Sequence, residues 1–365
     1  MSRTPMTRTN IVIDESALLH NIQCVKNYTP ESPIIAMVKA NAYGHGMNRV
    51  TQVLAPEVDM FGVACLEEAQ ALRALMPAKP ILLAGGVFSP EEWKDVFEGN
   101  FEVVIHSFWQ IESLLSFKPS FNQVPRKICV WLKIDTGMHR LGFVPEDVLK
   151  AYEKLSICPH INQPIGLMTH FACADDESNF MTEKQLQQFK LSVASLPSQK
   201  WSLANSAGII AWPETRHGYI RPGIMLYGIS PFDNKIGKDL GLKPVMCLQS
   251  HIMTIKICQA GESVGYGATW RASKISRIAT VSVGYGDGYP RHISSEAVVW
   301  INNRYFPVVG RVSMDMLGID VSEDAQIQAG DCVELWGTHL PVEQVARFAG
   351  TSPYEVLTQV RGRGF

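Results

Sequence analysis

The sequence is short of the features that would commit a chain to a membrane, a metal or an oxidising compartment. No apolar run approaches the length needed to span a bilayer, and the polar start Met1 to Asn10 leads into no apolar stretch of signal-peptide length. A cytoplasmic protein is the expectation. The eight cysteines (24, 65, 129, 158, 173, 247, 258 and 332) include no Cys-x-x-Cys pair and lie in mostly apolar segments, the pattern of reduced, buried thiols. The ten histidines are dispersed, with no pair at i, i+4, so spacing supports no metal site. Neither charge sign dominates: 33 Lys and Arg stand against 35 Asp and Glu. Such a chain exerts no long-range pull on nucleic acid or anionic lipid, and any anion must be held by local groups. The partner expected is a small molecule, with no nucleic acid and no membrane.

What is present is a regular beat. The 365 residues are 46% hydrophobic, enough for two domains with a large core. Ile11 to Ile13 reads as a strand, and Asp14 can cap a helix on which Leu18, Leu19, Ile22 and Val25 share a face. Apolar strand runs then recur at residues 34–38, 61–65, 80–85, 101–105, 128–134, 164–170, 201–205 and 219–227. Helical segments lie between most of them: Leu66 to Met76 with Glu67 and Glu68 in its first turn, Pro90 to Glu98, and Thr182 to Ser195. Eight strand-plus-helix units in this length predict an α/β barrel, eight-stranded and TIM-like, with an open doubly wound sheet as the alternative. Two observations favour the barrel. No Gly-x-Gly-x-x-Gly turn follows the first strand, and the polar residues Lys39, Lys133 with Asp135, His170, Ser206 and Arg221 fall at the C-terminal ends of different strands. Barrel active sites are built there.

After Gly228 the texture changes. Ser230 to Lys238 is a polar linker punctuated by Gly and Pro, followed by short β runs at 245–257, 278–283, 298–301, 306–309 and 332–336. A mostly antiparallel β domain is expected, ending in short helices at Pro341 to Phe348 and Ser352 to Val360, the latter with Ser352 as N-cap. The divisions expected are 1–12, an N-terminal strand joining the β domain; 13–235, the barrel; and 236–365, the β domain.

The chemistry concentrates in Ala36-Met37-Val38-Lys39-Ala40-Asn41-Ala42-Tyr43-Gly44-His45-Gly46. A lysine ending an all-apolar strand points into a partly dry site, where desolvation favours the neutral amine that attacks carbonyls. A snorkelling surface lysine is the structural alternative. Lys133 reads as a partner of Asp135, Ser206 as an N-cap, and Tyr266 as an aromatic packed between Gly265 and Gly267.

The eleven-residue string resembles the pyridoxal-phosphate lysine motif of the alanine racemases. The resemblance spans essentially the whole chain through four further strings. These are Arg221-Pro222-Gly223-Ile224-Met225-Leu226-Tyr227-Gly228, Val264-Gly265-Tyr266-Gly267-Ala268, Gly284-Tyr285-Gly286-Asp287-Gly288-Tyr289-Pro290-Arg291 and Gly310-Arg311-Val312-Ser313-Met314-Asp315. It implies an isomerase that interconverts L-alanine and D-alanine on pyridoxal 5'-phosphate with two bases, Lys39 on one face of the substrate and Tyr266 on the other. A phenol is a weak base at neutral pH, and the family pattern gives His170 and Arg221 the task of making it stronger. Arg221 would donate to the pyridine nitrogen and leave it unprotonated, giving a weaker electron sink than a carboxylate partner gives. Tyr43, Ser206, Tyr354 and the backbone at Gly223 and Ile224 would hold the phosphate. Arg140 and the Met314 amide would hold the substrate carboxylate, and Tyr285 would stand at the entrance. Lys133 matches a lysine that relatives carry as a carbamate, able to orient Arg140. Position 202 is serine where some relatives have a histidine supporting the arginine, which leaves that contact open. In the family Tyr266, Tyr285 and Met314 come from the other subunit, which implies a head-to-tail homodimer with shared active sites, inactive as a monomer.

Three other readings remain at this point. A pyridoxal-dependent amino-acid decarboxylase shares a barrel and lysine, but its Gly-rich phosphate run and substrate-side cysteine are not evident here. A non-catalytic pyridoxal-phosphate-binding protein would be a lone barrel, without residues 240–365. A racemase of serine or another amino acid is separated poorly, because Tyr285, Tyr354 and Met314 make a small pocket without specifying its occupant.

Overall fold

The computed structural model describes residues 8–118 and 127–360; residues 1–7 of the N-terminal segment and 361–365 of the C-terminal one lie outside them. The chain opens with β1 (Thr9–Ile13). Asp14 follows and its Oδ1 accepts the Ala17 amide at 3.0 Å, capping the helix Glu15–Tyr28. Leu18, Ile22 and Val25 are buried on that helix, whereas Leu19 is exposed. It stands about 100° round the helix from Leu18 and so leaves the core face.

Seven parallel strands come next: β2 (Ile35–Met37), β3 (Met60–Val63), β4 (Ile81–Leu83), β5 (Glu102–Ile105), β6 (Val130–Lys133), β7 (Gly166–Met168) and β8 (Trp201–Ser202). They pair in sequence order, with helices Leu66–Leu75, Glu92–Gly99, Phe108–Ser116, Pro145–Ser156 and Met181–Val193 among the segments between them. Each strand is shorter than the apolar run that announced it. Strands covered on both faces need apolar side chains throughout, which is why those runs do not alternate. The eighth strand, expected over 219–227, is reduced to two bridges, Tyr219 to Ser202 and Ile220 to Ile34. These bridges tie the end of the sheet to its beginning and close the barrel. Pro222 has no N–H to extend the ladder, and Ile224–Tyr227 turns instead into a 3-10 helix.

The remaining strands are antiparallel: β9 (Met246–Cys258), β10 (Ser263–Val264), β11 (Trp270–Arg271), β12 (Ser276–Val281), β13 (Val298–Ile301), β14 (Arg304–Val309), β15 (Leu317–Asp320) and β16 (Cys332–Trp336). β10 pairs only with β11, and the others form one sheet in the order β1-β9-β12-β15-β14-β13-β16. β16 also pairs with β9, so the sheet turns back on itself. β1 joins it antiparallel to β9, with Ile11 opposite Leu248. The helices Val342–Ala349 and Pro353–Thr358 return to the mouth of the barrel. There Gly44, at φ +81°, lies so close to the Leu357 carbonyl that a Cβ would collide with it. All eight cysteines are free. Among the described residues no helix is long and apolar enough to cross a membrane, and no cluster of His, Cys, Asp and Glu is placed to hold a metal.

Candidate active site

At the C-terminal ends of the barrel strands lies a cavity of about 910 Å³. Four cations at the barrel end line it, Lys39 after β2, Lys133 at the end of β6, Arg140 on the loop beyond and Arg221 after the closing bridges, together with Arg347 and the acids Asp175, Asp233 and Glu343. The arginines disfavour charge on the two lysines. Lys39 is exposed to the open cavity, yet desolvation by the surrounding walls lowers its amine, Arg140 lowers it further and Arg221 adds to this, against an opposing pull from Glu68. Lys133 is buried and brought down to about 8, by desolvation first and then by Arg221, Arg140 and Lys39. Among the described residues none of the four forms an ion pair. Asp135, expected to pair with Lys133, is instead engaged by the amides of Gly137 and His139, each at 3.0 Å, and by the His139 ring at 3.2 Å. A hollow in which four cations lack ion-pair partners among the described residues favours anions.

Arg221 is the anchor of this ring. Its Nη1 donates to Ser202 Oγ at 2.6 Å, and its Nη2 donates to the carbonyls of Thr169 at 2.7 Å and Leu203 at 3.1 Å. The support that a serine at 202 left open is therefore made, and Ser202 Oγ passes it on by donating to Tyr219 O at 2.8 Å. Nη2 also lies 3.3 Å from His170 Nδ1. A guanidinium can only donate, so Nδ1 must offer its lone pair and the His170 proton is on Nε2. Burial, reinforced by Arg221, holds His170 well below its ordinary pKa, so the ring is neutral. Arg221 itself is lowered by burial to about 10 and stays charged at neutral pH.

The backbone after Lys39 is unusual. Ala40, Asn41, Ala42 and Tyr43 all have positive φ, at 51°, 54°, 55° and 54°. Each such residue costs roughly 1–2 kcal/mol in an L-chain, so the turn persists only because its surroundings hold it. Glu68 Oε1 accepts the Ala40 amide at 2.6 Å while Oε2 accepts the Ala64 amide at 2.8 Å. Asn41 Oδ1 accepts the Met47 amide at 2.8 Å. The turn carries Tyr43 inward, its ring centroid 4.9 Å from Tyr227 and 6.0 Å from Tyr354. Its hydroxyl rests beside Gly223, where a Cβ would lie 2.6 Å away. Ser206 does not cap its helix, Ser206–Ala211; Asn205 does, accepting the Gly208 amide at 2.9 Å. Ser206 Oγ accepts the amides of Gly223 at 2.9 Å and Met225 at 3.4 Å, so its own O–H is free to donate into the cavity. Ile224 and Tyr354 complete this wall. Sequence reasoning missed Glu68 as the brace of the turn and Asn205 as the helix cap. The signal for Glu68 was its place in a helix's first turn, where an acid reads as a complement to the dipole.

Three expected site residues stand apart. Tyr266, Tyr285 and Met314 do not line the cavity of their own chain, and they are 72%, 39% and 53% exposed. Tyr266 opens a 3-10 turn between β10 and β11. The loops bearing the other two are laced together, with the Tyr285 amide donating to Ser313 O at 3.1 Å and the Gly286 amide to Met314 O at 2.9 Å.

The description "Alanine racemase, N-terminal domain" matches residues 13–231, and "Alanine racemase, C-terminal domain" matches residues 245–364. An alanine racemase of Legionella pneumophila (strain Lens) is 48% identical over 356 residues, which cover 97% of this chain and 98% of the relative. The crystal structure of the biosynthetic alanine racemase from Pseudomonas aeruginosa superposes with a TM-score of 0.93 at 41% identity, covering 98% of each chain. The alanine racemase from Bartonella henselae, solved with covalently bound pyridoxal phosphate, gives 0.88 at 32% identity over 98% of each chain. With both halves matched and nearly the full length shared, this chain belongs to the alanine racemase family.

Proposed function

We propose that this protein is a pyridoxal-phosphate-dependent isomerase that interconverts L-alanine and D-alanine. The observation that carries the reading is the group of four barrel-end cations, none in an ion pair among the described residues, beside the hydroxyls of Tyr43, Ser206 and Tyr354 in one cavity, a setting for one phosphate and one carboxylate. The residues present fit the cofactor. Lys39 offers an amine of lowered basicity to its aldehyde, the hydroxyls of Tyr43, Ser206 and Tyr354 would hold its phosphate with the backbone of Gly223 and Ile224, and Gly223 leaves room that a side chain would fill. Linked to the substrate nitrogen, pyridoxal phosphate supplies an electron sink that acidifies the Cα–H bond.

The chain's own groups then handle the proton. The Lys39 amine takes or returns it on one face of Cα, and the partner subunit's Tyr266 serves the other face. Arg221, which can only donate, would leave the pyridine nitrogen unprotonated, and the weak sink favours prompt return of the proton. Arg140 and the amide of the partner subunit's Met314 hold the carboxylate, while the partner subunit's Tyr285 narrows the entrance. Lys133, at about 8, has free amine available near neutral pH. That amine can add carbon dioxide and release a proton, and the resulting carbamate anion would orient Arg140.

The exposure of Tyr266, Tyr285 and Met314, away from their own cavity, supports a head-to-tail homodimer with two shared sites. The proposed divisions are an N-terminal segment at 1–12 that joins the β domain, a cofactor-binding barrel at 13–235, and a β domain at 236–365 that serves the partner's site. The proposed setting is the cytoplasm, with D-alanine supplied for peptidoglycan or alanine degraded.

The test is incubation of the purified holoenzyme with L-alanine in deuterated water, followed by chiral chromatography and mass spectrometry. A racemic, α-deuterated product without amine or keto acid is expected. Unchanged L-alanine would overturn the reading.

A further inference from the structure

Of the buried polar groups that the reaction does not use, His45 lies nearest the lysine along the chain. It is 2% exposed. Its Nδ1 is 3.1 Å from the Ala42 carbonyl oxygen and 2.9 Å from that of Tyr43. Carbonyls only accept, so Nδ1 carries the proton and donates to both. Nε2 is then a buried lone pair, and it has no hydrogen-bond partner. Burial lowers the ring to about pKa 4, so this donor arrangement is constant across the working range.

The imidazole also stacks on Tyr227, with centroids 4.4 Å apart at 30°. Tyr227 in turn donates its hydroxyl to Met37 O at 2.9 Å, two residues before Lys39, and packs its ring against Tyr43. The histidine thus joins the end of β2 to the end of the left-handed turn. A phenylalanine would stack equally well and bury no unpaired nitrogen. What histidine adds is the Nδ1–H.

We propose that His45 is a positioning residue: its Nδ1–H, shared between the Ala42 and Tyr43 carbonyls, holds the left-handed turn that sets the Lys39 amine and the Tyr43 hydroxyl in register. The inference rests on Lys39 and Tyr43 as the residues that hold the cofactor. Geometry of this kind matters because a misplacement of about 1 Å can cost on the order of a hundredfold in rate.

Three variants separate the donor from the ring. His45→Phe keeps the ring and removes the donor, His45→Asn keeps a donor near the Nδ1 position, and His45→Gln moves it towards Nε2. The readouts are kcat and KM for L-alanine, the dissociation constant of pyridoxal phosphate from the apoenzyme, the visible absorbance of lysine-bound cofactor, and hydrogen exchange of the Ala40 to Tyr43 amides. For His45→Phe, kcat is expected to fall at least about tenfold with a smaller change in KM. Cofactor binding should weaken with it, and the turn amides should exchange faster. His45→Asn should recover most of each loss, and His45→Gln should not. A folded His45→Phe with wild-type kcat, cofactor affinity and turn protection, differing only in Tm, would overturn the proposal. If that variant does not fold, the comparison of Asn with Gln decides, and Gln performing as well as Asn overturns it. Failure of the wild type to racemise alanine would refute the function proposed above instead, while the cofactor-affinity comparison would still judge His45.

Discussion

Arg221 has Nη2 and one Nη1 bond engaged by Thr169, Leu203, His170 and Ser202, so its plane is set before any ligand arrives while other N–H groups stay available to donate. That arrangement could be half read from the sequence. The arginine belongs to a recognisable string, but nothing in the spacing of residues 202 and 221 reveals that Ser202 stands where it can accept. Ser202→Ala would leave Nη1 facing a methyl group, and a buried charged donor without its acceptor costs at least about 1–3 kcal/mol. Urea unfolding of the apoenzyme should report a loss of that order; an unchanged midpoint would mean that water or a shifted backbone replaces the hydroxyl. The two proposed bases make a second expectation at this scale. Lys39→Ala should abolish racemisation together with covalent cofactor. Tyr266→Ala should slow α-proton exchange from L-alanine more than from D-alanine, as followed by deuterium uptake into each enantiomer. Equal, mild losses in both directions would remove Tyr266 from its role.

Elements differ in how clearly the chain announces them. Strands β2 to β7 were readable because a strand buried on both faces must be apolar throughout. The eighth was overextended: residues 219–227 are as apolar as the others, and only Pro222 marks where the ladder stops. β15 escaped notice because Leu317-Gly318-Ile319-Asp320 is too short and too interrupted for a periodic signal. The turn after Lys39 was hidden for another reason. Ala-Asn-Ala-Tyr has no composition that favours positive φ throughout, so its handedness is imposed by Glu68, His45 and the neighbouring helix rather than by local preference. This element carries an acid liability. His45 titrates near 4 in the folded protein and near 6.5 when unfolded. Above 6.5 both states are neutral and its contribution is intact. As pH falls from 6.5 to 4 the unfolded chain binds the proton first, so stability drops by roughly 3 kcal/mol and then levels off. His170 shifts in the same direction and adds to the loss. Urea unfolding at pH 7 and pH 4.5 should therefore show a smaller acid penalty in His45→Phe than in the wild type. An identical penalty would mean that the imidazole is not the buried neutral ring described here.

For the whole molecule, the sequence showed that the strings around Tyr266, Tyr285 and Met314 belong to the same enzyme as Lys39, yet not which copy of the barrel they serve. Periodicity and motif carry no information about distances between chains. Within one chain the cavity is lined by residues of the barrel end and of the segment from Glu343 to Tyr354, whereas Tyr266 is exposed and lines no part of it. The head-to-tail reading makes a quantitative demand that a self-contained monomer does not. Lys39→Ala and Tyr266→Ala each disable both sites of their own homodimer. In a hybrid dimer one site inherits both substitutions, and the other pairs an intact Lys39 with an intact Tyr266. If the two inactive proteins are mixed in equal amounts, dissociated and allowed to reassemble at random, half of the dimers are hybrids with one working site each. About a quarter of the wild-type activity should then return. Sites contained within single chains can gain nothing from mixing, so a mixture as inactive as its components, with hybrid dimers verified by native mass spectrometry, would exclude shared sites.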